Sequence, residues 1–277
     1  MQNLITSDEQ LRSIIPNIQR PAPAETPWVS RLATFLDTAA HVMESYIVRV
    51  AELTDSVSQN AKSFVALYAW YLAIPTLDLV ATPNGFAVIS NQTIAPASAQ
   101  RVAETRKNAL AMADETACAM LDSLRMSPDW KTKPNARRFD SIFPDPRDFA
   151  KTFSVALPFF SYIKAQDRIK RIETDIAVSV ISAKGMRLLR AVAAAVASGQ
   201  VTDINEDDLH ILDIVRNIVF RMSDLDYSPS KDFNMLRHEL DTSENSVVAD
   251  AWRQSQLYRA FKLKPYANEK NSGGYFF

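Results

Sequence analysis

Apolar residues recur at three- and four-residue steps along most of this chain, the mark of helices that bury one face. Ser7 stands before Asp8 and Glu9, an N-cap followed by first-turn acids, and predicts a short helix over 8–15 that Pro16 ends. The four prolines between 16 and 27 read as an extended strap. Val29, Leu32, Ala33, Leu36, Ala40, Met43 and Ile47 then make one apolar stripe and predict a helix from about 28 to 53. After a polar break at 56–59 comes a helix over 61–74. It carries Phe64, Tyr68, Trp70 and Tyr71 nearly all round, which places it at the centre of a core, and Pro75 stops or kinks it.

Two apolar runs, 79–82 and 86–89, flank Pro83, Asn84 and Gly85. Asn and Gly tolerate positive φ, so the pattern predicts a β-hairpin near 79–89. A lone hairpin is only marginally stable and has to pack on helices or on a neighbouring subunit. A loop at 94–98 leads to a third long helix over 99–124, with Val102, Ala109, Met112, Ala113, Thr116, Met120 and Leu124 as its core stripe. Residues 126–146 hold four prolines and read as a linker or long surface loop.

Helical periodicity returns over 149–174 and 183–198, with a β-branched run at 176–181 that reads as a short strand. Gly199 is a C-cap, and Asn205 is the N-cap of a helix whose first turn holds Glu206, Asp207 and Asp208. Residues 227–240 look irregular, and a last helix over 246–262 precedes the tail 264–277. The expected fold is therefore mainly α: a multi-helix bundle with one β-hairpin. A helical half (1–126) and a second helical half with a C-terminal tail (148–277) flank a connecting stretch at 127–147. Each half has a strap, a long amphipathic helix, an apolar helix and a closing helix. That plan allows two related halves, although no residue-level register supports a duplication.

Composition narrows the function classes. Hydrophobic residues are 47% and charged residues 23% of the 277, as in ordinary globular proteins. Five glycines disfavour phosphate-cradling loops and β-sandwiches. With 31 basic against 32 acidic residues the net charge is −1, so the clustered excess that coats nucleic acid is missing and no specific nucleic-acid binding is expected. Arg137-Arg138 and the basic run within 164–171 read as solvated surface. The single cysteine, Cys118, rules out an intrachain disulfide and reads as a small core residue. No run of about 18 apolar residues is present, so no membrane span is expected. No basic segment leads into an apolar one near residue 1, so no signal peptide is expected.

Reactive chemistry is thin. Ser161 and Lys164 fit a Ser-x-x-Lys pattern, but its companion motifs are missing. His41 with Glu44, and His210 with Asp207 and Asp213, share helix faces, yet a metal site needs three or four ligands in fixed geometry. Asn91-Gln92-Thr93 fits a glycosylation acceptor that means little without secretion. No catalytic, cofactor-binding or metal-binding residue is assigned, and the chain is not expected to be an enzyme. Interaction signals are better. Polar residues 268–274 lead into Tyr275, Phe276 and Phe277, and such aromatics anchor in a partner's pocket or fold back on their own core. With Pro83, Asn84, Gly85 and Phe86 at the hairpin tip they are the candidate contact residues.

Several segments carry a resemblance: Leu4-Ile5-Thr6-Ser7-Asp8-Glu9-Gln10-Leu11, Thr82-Pro83-Asn84-Gly85-Phe86-Ala87-Val88-Ile89-Ser90-Asn91, Ile94-Ala95-Pro96-Ala97-Ser98 and Asn271-Ser272-Gly273-Gly274-Tyr275-Phe276-Phe277. Together they resemble phage and prophage structural proteins of gut bacteria, and the first half is more distantly similar to helical head–tail connector (adaptor) proteins. The resemblance covers much of 4–124 and the tail. It implies a virion protein, assembled in the bacterial cytoplasm, that forms a ring of copies between portal and tail proteins. The chain is much longer than a connector and its second half has no counterpart there, so adaptor, stopper and tail-completion roles all stay open. Another tail or neck component, or a phage-encoded non-virion enzyme or host-directed factor, is the alternative.

Overall fold

A computed structural model describes residues 4–16, 18–22, 25–77, 79–82, 85–88, 98–200, 204–224 and 226–262, with backbone alone for 79–82 and 85–88. The chain is mainly helical, as expected. It divides into two compact units, Met1–Asp140 with Asp145–Gln166, and Ser141–Pro144 with Asp167–Phe277.

In the first unit, α1 (Asp8–Ile14) starts where expected, with the Ser7 hydroxyl accepting the Gln10 N–H at 3.3 Å. The helix expected over 28–53 is broken into α2 (Trp28–Arg31), α3 (Ala33–Tyr46) and a 3-10 turn, Val50–Glu52. The breaks fall at Leu32 and at Ile47-Val48, all buried, so there the chain turns to put its apolar residues inside. α4 (Asp55–Ala73) starts earlier than expected: the polar residues at 56 and 59 face water on its first turns while Val57 is buried between them. Phe64, Val65, Ala66 and Leu67 are all buried, and α4 is central as its aromatics suggested.

The hairpin expected near 79–89 lies partly outside the described residues, which omit Pro83, Asn84 and Ile89. The backbones of Leu79–Thr82 and Gly85–Val88 are antiparallel, with Leu79 opposite Val88 and Thr82 opposite Gly85. α5 (Ala99–Arg125) begins at Ser98 and packs along α4. Its buried stripe is rotated from the expected one, to Ala109, Ala113, Ala117, Cys118, Met120, Leu121 and Leu124, and Met112 is 54% exposed. The seam follows the small residues because they let two helices approach closely, whereas the sequence pattern weighted the larger Met112.

The stretch read as a linker or long surface loop holds two 3-10 turns, Trp130–Thr132 and Pro134–Phe139, with Trp130 and Phe139 buried. The helix expected over 149–174 is two: α6 (Pro146–Phe153), ended by Ser154 at φ 53, and α7 (Pro158–Ile176). A proline ring clashes inside a helix and suits its first turn, so Pro158 starts a new one. α7 contributes its first residues to the first unit and the rest to the second.

In the second unit the run expected as a strand, 176–181, instead continues α7 as a π-helical turn, Ala177–Ile181, with Val180 and Ile181 buried. β-branched residues suit any buried backbone, and helical hydrogen bonding took them here. α8 (Ala183–Ala197) ends near Gly199 at φ 73, and α9 (Glu206–Arg221) starts at Asn205, whose side chain accepts the Asp207 N–H at 2.9 Å; both match expectation. The region expected to be irregular holds α10 (Ser230–Thr242), which buries Leu236 and Leu240. The expected last helix is split into α11 (Val247–Arg253) and α12 (Gln256–Lys262), with the buried Trp252 ring T-shaped to Tyr258 at 4.9 Å. Among the described residues no helix is long and apolar enough to cross a membrane.

Between the π turn and α8, Ser182 adopts φ 82, ψ 155, a region that strains a side-chain-bearing residue. Its hydroxyl accepts the Gly185 N–H at 3.2 Å. A Cβ on Gly185 would stand 2.6 Å from Ile181 Cγ2. Gly185→Ala is therefore expected to destabilise the fold by about 1–3 kcal/mol, read as a lowered urea midpoint; an unchanged midpoint would show that Ile181 gives way freely.

Candidate functional site

The buried acids among the described residues, Asp114, Glu173 and Asp208, all accept backbone N–H groups. The Asp114 carboxylate on α5 accepts the Phe159 and Phe160 N–H groups at 3.2 and 2.9 Å, so an acid 45 residues away caps α7. Asp208 on α9 accepts the Ser246 hydroxyl at 2.6 Å and the Val248 N–H at 3.3 Å, at the start of α11. Near the surface, Asp8 accepts the Trp28 and Val29 N–H groups at 3.1 and 2.9 Å and caps α2. Glu173 is fully buried; it accepts from the Ser141 hydroxyl (2.7 Å), the Ile142 N–H (2.9 Å) and the Arg190 guanidinium (2.6 Å). These are positioning contacts, each saturated by protein donors.

Burial pushes the Asp114 carboxyl pKa up, against the two N–H groups that lower it. Nearby, Arg147 bridges Asp122 and Glu115 at 2.7 and 2.9 Å, and Arg125 also reaches Asp122 at 2.8 Å. Cys118 is buried beside Asp114 and its thiol is pushed up to about 12, first by burial and then by that charge, so it is not a nucleophile at neutral pH.

A groove of about 350 Å³ opens on the surface of the first unit. Ile5, Leu36 and Val65 are its buried floor, and Val29, Ala33, Ala40 and Ala51 stand around it. Its only ionisable lining residues are Asp37 and Glu44. Glu44 uses one carboxylate oxygen to accept the Val50 N–H at 3.1 Å, the start of the 3-10 turn. Across the same unit, the first three turns of α5 keep every residue from 99 to 108 exposed except Val102.

Of the residues singled out from the sequence, the described ones form no common cluster. Tyr275, Phe276 and Phe277 lie outside the described residues, as do Pro83 and Asn84, while Gly85 and Phe86 are described only as backbone, opposite Thr82 and Ala81. His41 is exposed and its partner Glu44 is engaged with Val50; His210 lies 3.7 Å from Glu239, while Asp207 accepts the Asn245 N–H and Asp213 lies 4.0 Å from Arg216. Ser161 is half-buried while Lys164 faces water. Among the described residues no group of three or more His, Cys, Asp and Glu could hold a metal ion. Sequence reasoning missed Asp114, although an acid on the same helix face as Ala117, Cys118 and Leu121 was the signal that could have found it. The groove and the exposed start of α5 left no such signal, because they depend on how the helices pack.

Residues 37–140 are similar to a family of unknown function, DUF6712. The similarity ends at the residue where the first stretch of the first unit ends, so it covers α4, α5, most of α3 and the two 3-10 turns after α5. No curated protein and no solved structure matches the chain.

Asp114→Asn is expected to cost about 1–3 kcal/mol by leaving one N–H of α7 without an acceptor. Because the folded pKa of Asp114 is raised, the wild-type advantage is largest below the ordinary aspartate range and shrinks as pH rises through the raised value. Urea midpoints of both proteins across acid pH check the sign, and an advantage growing with pH would reverse it.

Proposed function

We propose that this chain is a structural protein of a bacteriophage particle, a head–tail connector or adaptor that assembles with itself and bridges portal and tail. The proposal starts from the sequence resemblance carried by residues 4–11, 82–91 and 94–98. The observation that carries it furthest is the first three turns of α5. Ten consecutive residues, 99–108, are helical, and all but Val102 face water. A ring subunit needs such a rigid element, presented clear of its own core, to meet the next copy.

In this reading Pro83, Asn84, Gly85 and Phe86 of the hairpin expected near 79–89 contact a neighbouring subunit, and Tyr275, Phe276 and Phe277 anchor in it. Packaged DNA passes nearby without its sequence being read. The protein is made and assembled in the bacterial cytoplasm and stays in the virion.

A nonsense mutation in the gene, followed by electron microscopy of the particles, tests the role. Separate heads and tails are the expected result; complete infectious particles would sink the proposal. Particles joined head to tail but with malformed tails would move the protein to another tail component. Deleting residues 271–277 is expected to leave the helical circular dichroism signal and the thermal midpoint unchanged while lowering incorporation into particles. Normal incorporation of the truncated chain would remove the aromatic residues from the contact.

A further inference from the structure

We infer that the groove beside α3 receives the exposed start of α5 from a second copy of the chain, with the two helices antiparallel. The ring that such contacts would close rests on the connector proposal; the pairing of the two surfaces does not.

On α3 the residues that line the groove at helical spacing are Ala33, Asp37, Ala40 and Glu44. On the outer face of α5, Arg101, Thr105, Asn108 and Met112 repeat the same steps of four, three and four. Each stripe spans twelve residues, eleven helical rises or about 16 Å. Laid antiparallel, Glu44 meets Arg101, Ala40 meets Thr105, Asp37 meets Asn108 and Ala33 meets Met112. An acid then faces a cation, a carboxylate faces an amide donor, and the one large apolar side chain lands on an alanine. Laid parallel, the same stripes would set Arg101 on Ala33 and Met112 on Glu44, so charge selects the antiparallel register.

The observed surface fits this pairing. Met112 is 54% exposed although it is a large apolar side chain on the longest helix described, and its thioether is flexible enough to enter the Ala33 end of the groove. The side chains of Asp37, Arg101 and Asn108 make no hydrogen bond or ion pair among the described residues, and Glu44 uses one oxygen internally. The two surfaces are different patches of one unit, so the contact is heterologous, the kind that propagates around a ring.

The full chain, followed by sedimentation over a concentration series, is expected to self-associate. Arg101→Glu and Met112→Asp, both on an exposed face, should each weaken that association by about tenfold or more, and Glu44→Lys combined with Arg101→Glu should restore it. A second readout uses disulfide trapping: Ala33→Cys mixed with Met112→Cys should cross-link between copies, and Ala33→Cys mixed with Arg101→Cys should not. A chain monomeric at every soluble concentration, association indifferent to both substitutions, or trapping of the mismatched pair would each overturn the inference. Separated heads and tails from the nonsense mutant alongside a monomeric chain would sink the pairing and spare the connector role. Cross-linking in register alongside complete infectious particles would do the reverse.

Discussion

The fold depends on carboxylates that satisfy the start of another helix. The first N–H groups of every helix have no partner within it and lie at the positive end of its dipole, so an acid there removes an orphan donor and balances a partial charge. Ser7, Ser98 and Asn205 do this locally. Asp8, Asp114 and Asp208 do it at a distance, for α2, α7 and α11. Each such bond fixes where a helix begins and also which helix it lies against. Losing one inside the protein leaves a buried donor unmet at about 1–3 kcal/mol, a large share of the net stability of a domain.

Packing then follows from residue size. Alanines at 109, 113 and 117 bring α5 close to α4, and Phe64 of α4 reaches Phe159 and Phe160 at ring separations of 6.3 Å, just where Asp114 holds the start of α7. Apolar contact and backbone capping meet at one place, so neither is free to shift without the other. In the second unit Glu173 has the same double part: it fixes Ile142 by its backbone and Arg190 by its charge. A fully buried carboxylate persists only when donors surround it, and here hydroxyl, amide and guanidinium all do.

The same packing leaves two surfaces over. Because α5 runs 27 residues and its apolar seam starts in earnest at Ala109, the turns before that point have little to bury. Because α2 and α3 are separate helices broken at Leu32, a groove opens along α3 instead of a continuous ridge. Both features lie in the first unit, and the groove's two α3 acids together with the whole start of α5 fall within the stretch that matches the family of unknown function.

The class and a few of the helix ends were legible in the residues alone. Scarce glycine and helical periodicity made the chain mainly α, and Ser7, Gly199 and Asn205 marked helix ends because their chemistry acts within three residues of themselves. Position 114 shows where that reach stops: an acid in an apolar seam is visible in the sequence, but its partners lie 45 and 46 residues on. Long-range packing made 176–181 a π turn rather than a strand, made 230–242 helical, buried Trp130 and Phe139, and ran the α5 seam along alanines past an exposed Met112. Local propensity sets which backbones a segment can adopt, and the burial offered by residues far away in the chain selects among them.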